Sequence, residues 1–377
     1  MERPSEHQPS ASPSSKYSEL PFVCNTKVSQ LTPFRHLYSN VVEQTMNYYP
    51  PPCELEKIMN ETITACDPLD GKVDGVVART DLCTAMYDIS ATLGLPYYCA
   101  AATGGMGGGA TPAQNGTVSA QGIAVAKKIL EGLHTTDGKR VYFTYTPSST
   151  WTDAATTYNT TTGEWGLDVT SLGGSFVETL LMELNGTNLP NLDGVTYDTL
   201  KDWIELGWNK YNDVLMTNWP DLSKFKANGG KVIHFHGESD YSIPTASSVR
   251  YWDSVREVMN THAKLSYNES VAAQHEFYRL FLVPGGSHCD FNVYEPNGPW
   301  PQTNFPVLID WVEKGIAPET LNATVLQGEY IGSNEQICLY PLRPIWINNG
   351  TTMECVYDQK SIDSWTYDLD AFNMPVY

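Results

Sequence analysis

Two short, mostly apolar runs alternate with amphipathic segments in the last third of the chain. Residues 231–235 and 277–283 have strand length, and glycine and proline follow each of them closely. Such runs are typical of strands that are buried on both faces of a parallel sheet. Between them apolar residues recur at helical spacing, and a later helical stripe is closed by Gly315. This strand–turn–helix rhythm predicts an α/β core over residues 226–377.

The preceding part of the chain follows a different pattern. A helix is predicted from position 52 and another after Ser119, a candidate N-cap, because apolar residues recur three and four positions apart. Residues 140–220 mix Thr, Tyr, Trp, Asn and Gly without a strand–helix alternation, which predicts an inserted domain. Residues 1–33 are predicted to be an atypical, disordered segment, because the first twenty are rich in Ser, Pro and Glu.

Length and charge narrow the classes of function. A chain of 377 residues can bury a large core and form two domains. Its 43 acidic and 23 basic residues give a formal net charge of −20. A surface this acidic repels phosphate backbones and anionic lipids, so no nucleic-acid or membrane partner is expected. No apolar run approaches the roughly 18 residues that a membrane-spanning helix needs.

The cysteines and sequons indicate an oxidising compartment. Eight cysteines accompany seven Asn-x-Ser/Thr sequons, which favours a secreted, glycosylated protein. The sequons begin at Asn60, Asn115, Asn159, Asn185, Asn268, Asn322 and Asn349. The first twenty residues contain no apolar stretch of the kind found in signal peptides.

A short acidic loop is a candidate cation site. Asp67, Asp70 and Asp74 fall within eight residues, and two glycines allow sharp turns. Clustered carboxylates repel one another, and a hard cation such as Ca²⁺, which prefers oxygen ligands, offsets that repulsion. The alternative is an ordinary surface turn rich in Asp and Gly. Cys66 and Cys83 bracket the loop, and a disulfide between them would order it in advance.

An acid and a histidine follow the two predicted strands. Asp240 lies just after the first strand and His288 just after the second, in the order Ser…Asp…His of α/β-hydrolases. Taken alone, Asp240 is also a plausible turn residue or helix cap, and His288 a plausible loop histidine. His234 and His236 share one face of the first strand, where hydrogen bonding is favoured over a metal pair.

The nucleophile of such a triad is not evident in the sequence. An exposed serine is expected in a tight strand-to-helix turn, G-x-S-x-G or close to it, before the acid. The chain contains no such motif. The segment 173–175 has only its first half and no strand before it.

Taken together, these motifs resemble the fungal tannase and feruloyl esterase family, and tannases most closely. The resemblance covers roughly residues 34–345. It is carried by residues 33–46, 50–57 and the Cys66–Cys83 loop, and by the two segments 234–240 and 286–289. It implies an α/β-hydrolase core, incomplete at its N-terminus, with a large lid inserted between nucleophile and acid. Residues 34–45 would be a remnant of that core, 46–225 the lid and 226–377 the C-terminal part of the core.

The resemblance also implies roles for individual residues. The family's catalytic acid and histidine fall on Asp240 and His288, and its serine would lie upstream or on a second chain. A calcium ion in the lid would be bound by side chains of Asp67, Asp70 and Asp74 and by carbonyls of Lys72 and Val76. Disulfides are implied for Cys66–Cys83 and Cys338–Cys355, and for Cys289 with a cysteine beside the serine. Cys24, Cys53 and Cys99 stay unassigned.

The function implied is hydrolysis of carboxylic esters of phenolic acids, gallate-like small molecules, by a Ser-His-Asp mechanism. The alternative is a catalytically inactive truncated fragment, or a remnant that binds calcium or phenolics. The residues do not separate gallate from ferulate as the preferred acid.

Overall fold

A computed structural model of the protein describes residues 22–24, 36–103, 110–215 and 217–372. The strands of the described part are β1 Phe22–Cys24, β2 Pro96–Cys99, β3 Gln114–Thr117, β4 Thr156–Asn159, β5 Glu164–Leu167, β6 Val232–Gly237, β7 Tyr278–Val283, β8 Pro299–Pro301, β9 Thr320–Val325, β10 Asn334–Cys338, β11 Arg343–Ile347 and β12 Thr352–Val356.

The α-helices of the same ranges are α1 Tyr38–Met46, α2 Pro52–Cys66, α3 Thr80–Met86, α4 Ala120–Glu131, α5 Ser171–Phe176, α6 Tyr197–Tyr211, α7 Ser223–Ala227, α8 Thr245–Asn260, α9 Tyr267–His275, α10 Asn304–Lys314 and α11 Gln359–Ser364. Short 3₁₀ turns include Asp67–Asp70 and Thr152–Ala154, and α5 continues into a π-helical turn, Val177–Leu181.

A parallel sheet with the order β1-β6-β7 positions the predicted acid and histidine. Every residue of β6 and β7 is buried. The two apolar runs of the sequence therefore form the strands predicted for them. Their continuous burial explains why they lack the polar–apolar alternation of a sheet with one solvated face.

The two faces of this sheet contribute to different hydrophobic clusters, because successive side chains of a strand point in opposite directions. Phe235 and Phe281 pack in one cluster with Leu308 and Trp311 of α10. Leu280 lies in the larger cluster on the other face, together with residues of α8 such as Trp252 and Val255. The sheet is thus covered by helices on both sides, as in α/β proteins.

The residues before β6 form helices and two short hairpins, β2–β3 and β4–β5. The predicted cap is present at α4, where the Ser119 hydroxyl accepts the N–H of Gly122 at 2.9 Å. Ile123, Ala126 and Ile129 of that helix are buried in the same cluster as Trp252 of α8. Helix α4 therefore belongs to the same continuous hydrophobic cluster as one face of the sheet, and the boundary of residues 46–225 as an inserted lid stays a prediction.

The N-terminal residues are described only in part. The segment 1–33, predicted to be disordered, lies outside the described residues except for β1, which pairs with β6 in the register Cys24↔Phe235. The predicted core remnant at 34–45 coincides with α1, whose first six residues are buried. Among the described helices none is both long and apolar enough to cross a membrane.

Three disulfides join parts of the described chain. Cys66 pairs with Cys83 and Cys338 with Cys355, the two bridges expected from the sequence. A third bridge joins Cys53 to Cys99, which were unassigned. Cys53 and Cys66 lie at the two ends of α2, so this helix is covalently tied to its surroundings at both ends.

Candidate active site

The ends of β6 and β7 bring the predicted acid and histidine to one edge of the sheet. The strands are parallel, with Gly237 opposite Val283, so the loops that follow them leave on the same side. Backbone hydrogen bonds continue past the strands. The N–H of Glu238 donates to the carbonyl of Val283 at 2.9 Å, and that of Ser239 to the carbonyl of Gly286 at 2.8 Å. Backbone hydrogen bonds therefore hold the two loops together without any side-chain contact.

Glycine at two positions permits this close approach. A Cβ on Gly237 would overlap the carbonyl oxygen of Gly286 and lie 2.5 Å from that of Ser287. A Cβ on Gly286 would lie 3.0 Å from the Cα of Gly237. The adjacent Gly285 has a φ of +62°, a conformation that side chains rarely adopt. The glycine that ends β6 and the two glycines in the loop after β7 are therefore needed for steric reasons.

Asp240 uses its two carboxylate oxygens for different partners. Oδ1 accepts the backbone N–H groups of Ser242 at 2.7 Å and Ile243 at 2.9 Å. Oδ2 lies 3.2 Å from Nδ1 of His288 and 3.2 Å from Nε2 of His236. The two roles left open by the sequence, turn residue and partner of His288, are thus both present in one side chain.

The environment of Asp240 favours its charged form. Burial alone would raise the pKa of this carboxyl, but the two neighbouring imidazoles, His236 and His288, outweigh burial and hold the pKa well below its usual range. Asp240 is therefore a carboxylate at neutral pH, able to fix the tautomer of an imidazole and to stabilise its protonated form.

His288 is the exposed member of the pair. About a third of its side chain, 36%, is accessible, whereas the side chain of Asp240 is completely buried. When Nδ1–H donates to a carboxylate, the lone pair of a neutral imidazole is on Nε2. That nitrogen can take a proton from a hydroxyl group and later return it to a leaving group.

A cleft of about 640 Å³ lies beside His288. This volume is in the range of small-molecule sites. One side of the cleft comes from the loops after β6 and β7, and the other from α2 and residues 150–156. Its aromatic lining consists of Trp151, Tyr241, Phe291 and Tyr294. The cleft can therefore place an aromatic molecule next to the imidazole.

The acidic loop folds around its own carboxylates. Oδ1 of Asp67 accepts the N–H of Asp74 at 2.9 Å, Oδ1 of Asp70 accepts that of Lys72 at 3.0 Å, and Oδ1 of Asp74 accepts that of Val76 at 3.1 Å. Lys72 Nζ lies 2.8 Å from the second oxygen of Asp74.

The clustered carboxylates of this loop would be stabilised by an added positive charge. Burial raises the pKa of Asp70 to about 7; the N–H of Lys72 opposes the shift, while the charges of Asp74 and Asp67 add to it. Oxygen donors under mutual repulsion are the chemistry that suits Ca²⁺. The described residues contain no group of three or more His, Cys, Asp or Glu side chains arranged to hold a metal ion. Calcium binding here stays a prediction.

Other predicted site residues are distributed as follows. Cys289 directly follows His288 in a left-handed conformation, with φ of 56°, and its predicted disulfide stays a prediction. Ser175 lies inside α5 and not at a strand-to-helix turn, which agrees with its rejection as the nucleophile. Of the sequon asparagines, Asn60 and Asn322 are half-buried, and the rest are exposed: Asn115, Asn159, Asn185, Asn268 and Asn349.

Sequence reasoning missed a buried ion pair behind the site. Arg343 donates from Nη1 to Oε1 of Glu238 at 3.0 Å and from Nη2 to Oε2 at 2.6 Å, and both side chains are fully buried. Thr80 Oγ1 also donates to Glu238, and Asp81 lies 3.4 Å from Arg343. The residue two positions before Asp240 is thereby anchored to both the Cys66–Cys83 region and β11. A charged residue directly after a buried strand was the available signal.

These features define a class of protein. A parallel sheet covered by helices on both faces, with an acid and a histidine paired at the carboxyl ends of neighbouring strands, is the arrangement of α/β-hydrolase-like proteins.

Comparison with known proteins gives the family. The chain belongs to the tannase and feruloyl esterase family, whose model matches residues 26–362. Members of this family are carboxylic ester hydrolases. The resemblance seen in the sequence is thereby confirmed.

Individual relatives agree with this assignment. The chain is 48% identical over 362 residues to a tannase of Aspergillus oryzae, an alignment that covers 91% of this chain and 61% of the relative. It is 28% identical over 330 residues to a probable feruloyl esterase of Arthroderma benhamiae, covering 85% of this chain and 56% of the relative.

Solved structures give the same result. A tannin acyl hydrolase from Aspergillus niger matches with 61% identity and a TM-score of 0.89, over 93% of this chain and 62% of that one. Feruloyl esterase B from Aspergillus oryzae matches with 22% identity and a TM-score of 0.62, over 87% of this chain and 61% of that one, and supports the fold alone. The chain thus spans about three-fifths of the length of these relatives.

Proposed function

We propose that this chain carries the acid–base half of an esterase that hydrolyses carboxylic esters of phenolic acids, gallate esters in particular. The single observation that carries the proposal is the Asp240–His288 pair, hydrogen-bonded at 3.2 Å beside a cleft with aromatic walls. The tannase and the tannin acyl hydrolase to which the chain is similar support gallate-like acids as the substrate class.

The reaction follows from the positions of the two side chains. A serine hydroxyl supplied from outside this chain, by an upstream segment or a second chain, attacks the ester carbonyl while His288 Nε2 takes its proton. The imidazolium, stabilised by Asp240, gives that proton to the leaving alcohol as the C–O bond breaks. Water then attacks the acyl-enzyme by the same route and releases the phenolic acid. Residues 46–225 act as the lid, because α2 and residues 150–156 supply one wall of the cleft.

The test measures hydrolysis of methyl gallate and methyl ferulate by the chain, alone and together with any segment encoded upstream of it. His288→Ala and Asp240→Asn should abolish activity and labelling by a fluorophosphonate probe, whereas the exposed His262→Ala should behave as the wild type. If no combination hydrolyses either ester or is labelled, the esterase proposal is wrong. Binding of gallate without turnover would then favour the alternative of an inactive, phenolic-binding remnant.

Calcium is proposed as a structural ion of the loop 67–76. The side chains of Asp67, Asp70 and Asp74 and the carbonyls of Lys72 and Val76 would hold it, and its chemistry there would be to neutralise the clustered carboxylates. Calcium titration followed by calorimetry tests this directly. Wild type should bind one ion, Asp70→Asn should lose binding, and the exposed Asp137→Asn should keep it. Absence of binding to the wild type would overturn the proposal.

Secretion and glycosylation are proposed on the three disulfides and the five exposed sequon asparagines. Expression through a fungal secretory pathway should give a protein whose mobility increases on treatment with an endoglycosidase. Unchanged mobility would contradict glycosylation.

A further inference from the structure

A line of buried hydrogen-bonding groups reaches the carboxylate oxygen of Asp240 that also contacts His288. His236 Nε2 lies 3.2 Å from Asp240 Oδ2, and His236 Nδ1 lies 2.5 Å from Ser248 Oγ. The same hydroxyl lies 3.0 Å from Nε2 of His234, whose Nδ1 is 2.7 Å from the hydroxyl of Tyr278. All five side chains are buried. The line runs from β7 through β6 and α8 to the carboxylate.

The direction of each hydrogen bond in this line follows from the acceptors around His236, at the end next to Asp240. His236 Nε2 faces two groups that can only accept, the carbonyl of Ile243 at 2.9 Å and the carboxylate of Asp240, so it must carry the hydrogen. In the neutral imidazole Nδ1 then accepts, and the hydroxyl of Ser248 donates to it. This leaves the Ser248 oxygen to accept from His234.

The hydrogen bonds of His234 and Tyr278 have the same direction. His234 donates from Nε2 to Ser248, so its Nδ1 accepts from the hydroxyl of Tyr278. Burial, together with the neighbouring His236, holds the pKa of His234 well below its ordinary value, which agrees with a neutral ring. Each hydroxyl and each ring donates once within the line, and every donor points toward Asp240.

We propose that His236 is a positioning residue for Asp240, and that Ser248, His234 and Tyr278 fix its tautomer so that its Nε2–H holds Oδ2 in place for His288. The inference rests on the proposed esterase function for its purpose. Its physical content, a directed line of neutral groups that ends on the carboxylate, does not depend on that function.

The first test needs no substitution and no substrate. Histidine labelled with ¹⁵N reports the tautomer of each ring through its nitrogen chemical shifts. Both His234 and His236 should carry their hydrogen on Nε2 and none on Nδ1. A hydrogen on Nδ1 of either ring would mean that the line runs in the opposite direction and would overturn the proposal.

The second test separates donation from packing. His236→Gln keeps an N–H donor near the position of Nε2, whereas His236→Leu removes it at similar size. The readout is the pKa of Asp240 from the ¹³C shift of its labelled carboxyl group. The leucine variant should raise the proton affinity of Asp240 about tenfold or more, and the glutamine variant should restore most of that loss. Equal effects of both variants, or no effect of either, would overturn the proposal.

A milder variant covers the case in which His236→Leu does not fold. Ser248→Ala leaves both histidines in place and removes only the hydroxyl between them. His236 should then show a mixture of tautomers instead of one. A single Nε2–H tautomer in this variant would show that Ser248 does not fix it. Because no reading depends on turnover, an inactive chain would contradict the esterase proposal while leaving this inference intact.

Discussion

Gly237 and Gly286 lie so close that a Cβ on the first would overlap the carbonyl oxygen of the second. One glycine ends β6 and the other precedes His288 by two residues. Backbone contact between the two loops therefore sets the distance between Asp240 and His288. The hydrogen bond between their side chains forms across that distance.

Gly237→Ala should separate the two loops. The added methyl group forces a shift of backbone atoms, and we expect the hydrogen bond between Asp240 and His288 to lengthen or break. Loss of the downfield proton resonance of His288 Nδ1–H would report this, together with a loss of activity of at least about tenfold in the active enzyme.

Gly166→Ala is the matched control for that substitution. A Cβ at Gly166 meets nothing within 4 Å, so this variant should keep both the resonance and the activity. An unchanged resonance in Gly237→Ala would contradict the steric account of the site.

Removing the charge of Glu238 should destabilise the whole fold. Glu238→Gln leaves the fully buried guanidinium of Arg343 without its bidentate partner, which costs about 3 kcal/mol of unfolding free energy. Chemical denaturation measures this loss. The combined variant Glu238→Leu/Arg343→Met should lose less than Glu238→Gln alone, because no unpaired buried charge remains. A smaller loss in the single variant than in the double variant would contradict the prediction.

His275 should make stability depend on acidity. Burial lowers the pKa of His275 from about 6.5 to about 4. The hydrogen bond from its Nε2 to the Tyr340 carbonyl, at 2.9 Å, raises the pKa and only partly offsets the effect of burial. The unfolded chain therefore binds the proton more tightly than the folded one. The contribution of His275 is complete above pH 6.5 and is lost as the pH falls to 4, by about 3 kcal/mol.

Unfolding free energies at pH 7, 5.5 and 4.5 check this expectation. His275→Gln should flatten the dependence, whereas the exposed His262→Gln should leave it unchanged. The same acid-induced loss in His275→Gln as in the wild type would assign the effect to other groups.

Removing the bridge between Cys53 and Cys99 should loosen the first turn of α2. Cys53→Ser/Cys99→Ser opens a loop of 46 residues, and about 3–4 kcal/mol of stability is expected to be lost. Hydrogen exchange of the α2 amides should accelerate. The bridge Cys338–Cys355 joins β10 to β12 elsewhere, so its removal should not change exchange in α2. Equal protection of α2 in both variants would contradict the prediction.

The sequence predicted the parts of the site that depend on local patterns. The runs that became β6 and β7, the cap at Ser119 and the positions of Asp240 and His288 after their strands are all visible within short windows. Parallel strands bring their ends to one edge, so adjacency of the acid and the histidine followed from order alone.

Contacts between distant segments were not predictable in the same way. Glu238 and Arg343 are 105 residues apart, and neither residue's neighbours in sequence indicate its partner. The bridge between Cys53 and Cys99 was missed for the same reason, since several pairings fit the spacing. For His234 and His236, alternation predicted a shared face of the strand, but Ser248, which links them, comes from α8.

The two oxygens of Asp240 have different partners, and this limits which side chain can replace it. Every described contact of the carboxylate is with a hydrogen-bond donor: two peptide N–H groups on one oxygen and two imidazoles on the other. An amide of the same shape has one end that must donate. If the amide NH₂ faced the backbone, it would meet two N–H groups. If it faced the rings, His236 Nε2 would have to lose the hydrogen that it also donates to the Ile243 carbonyl. Neither rotamer of an asparagine satisfies these four contacts, so the hydrogen-bonding geometry at this point favours a carboxylate over an amide.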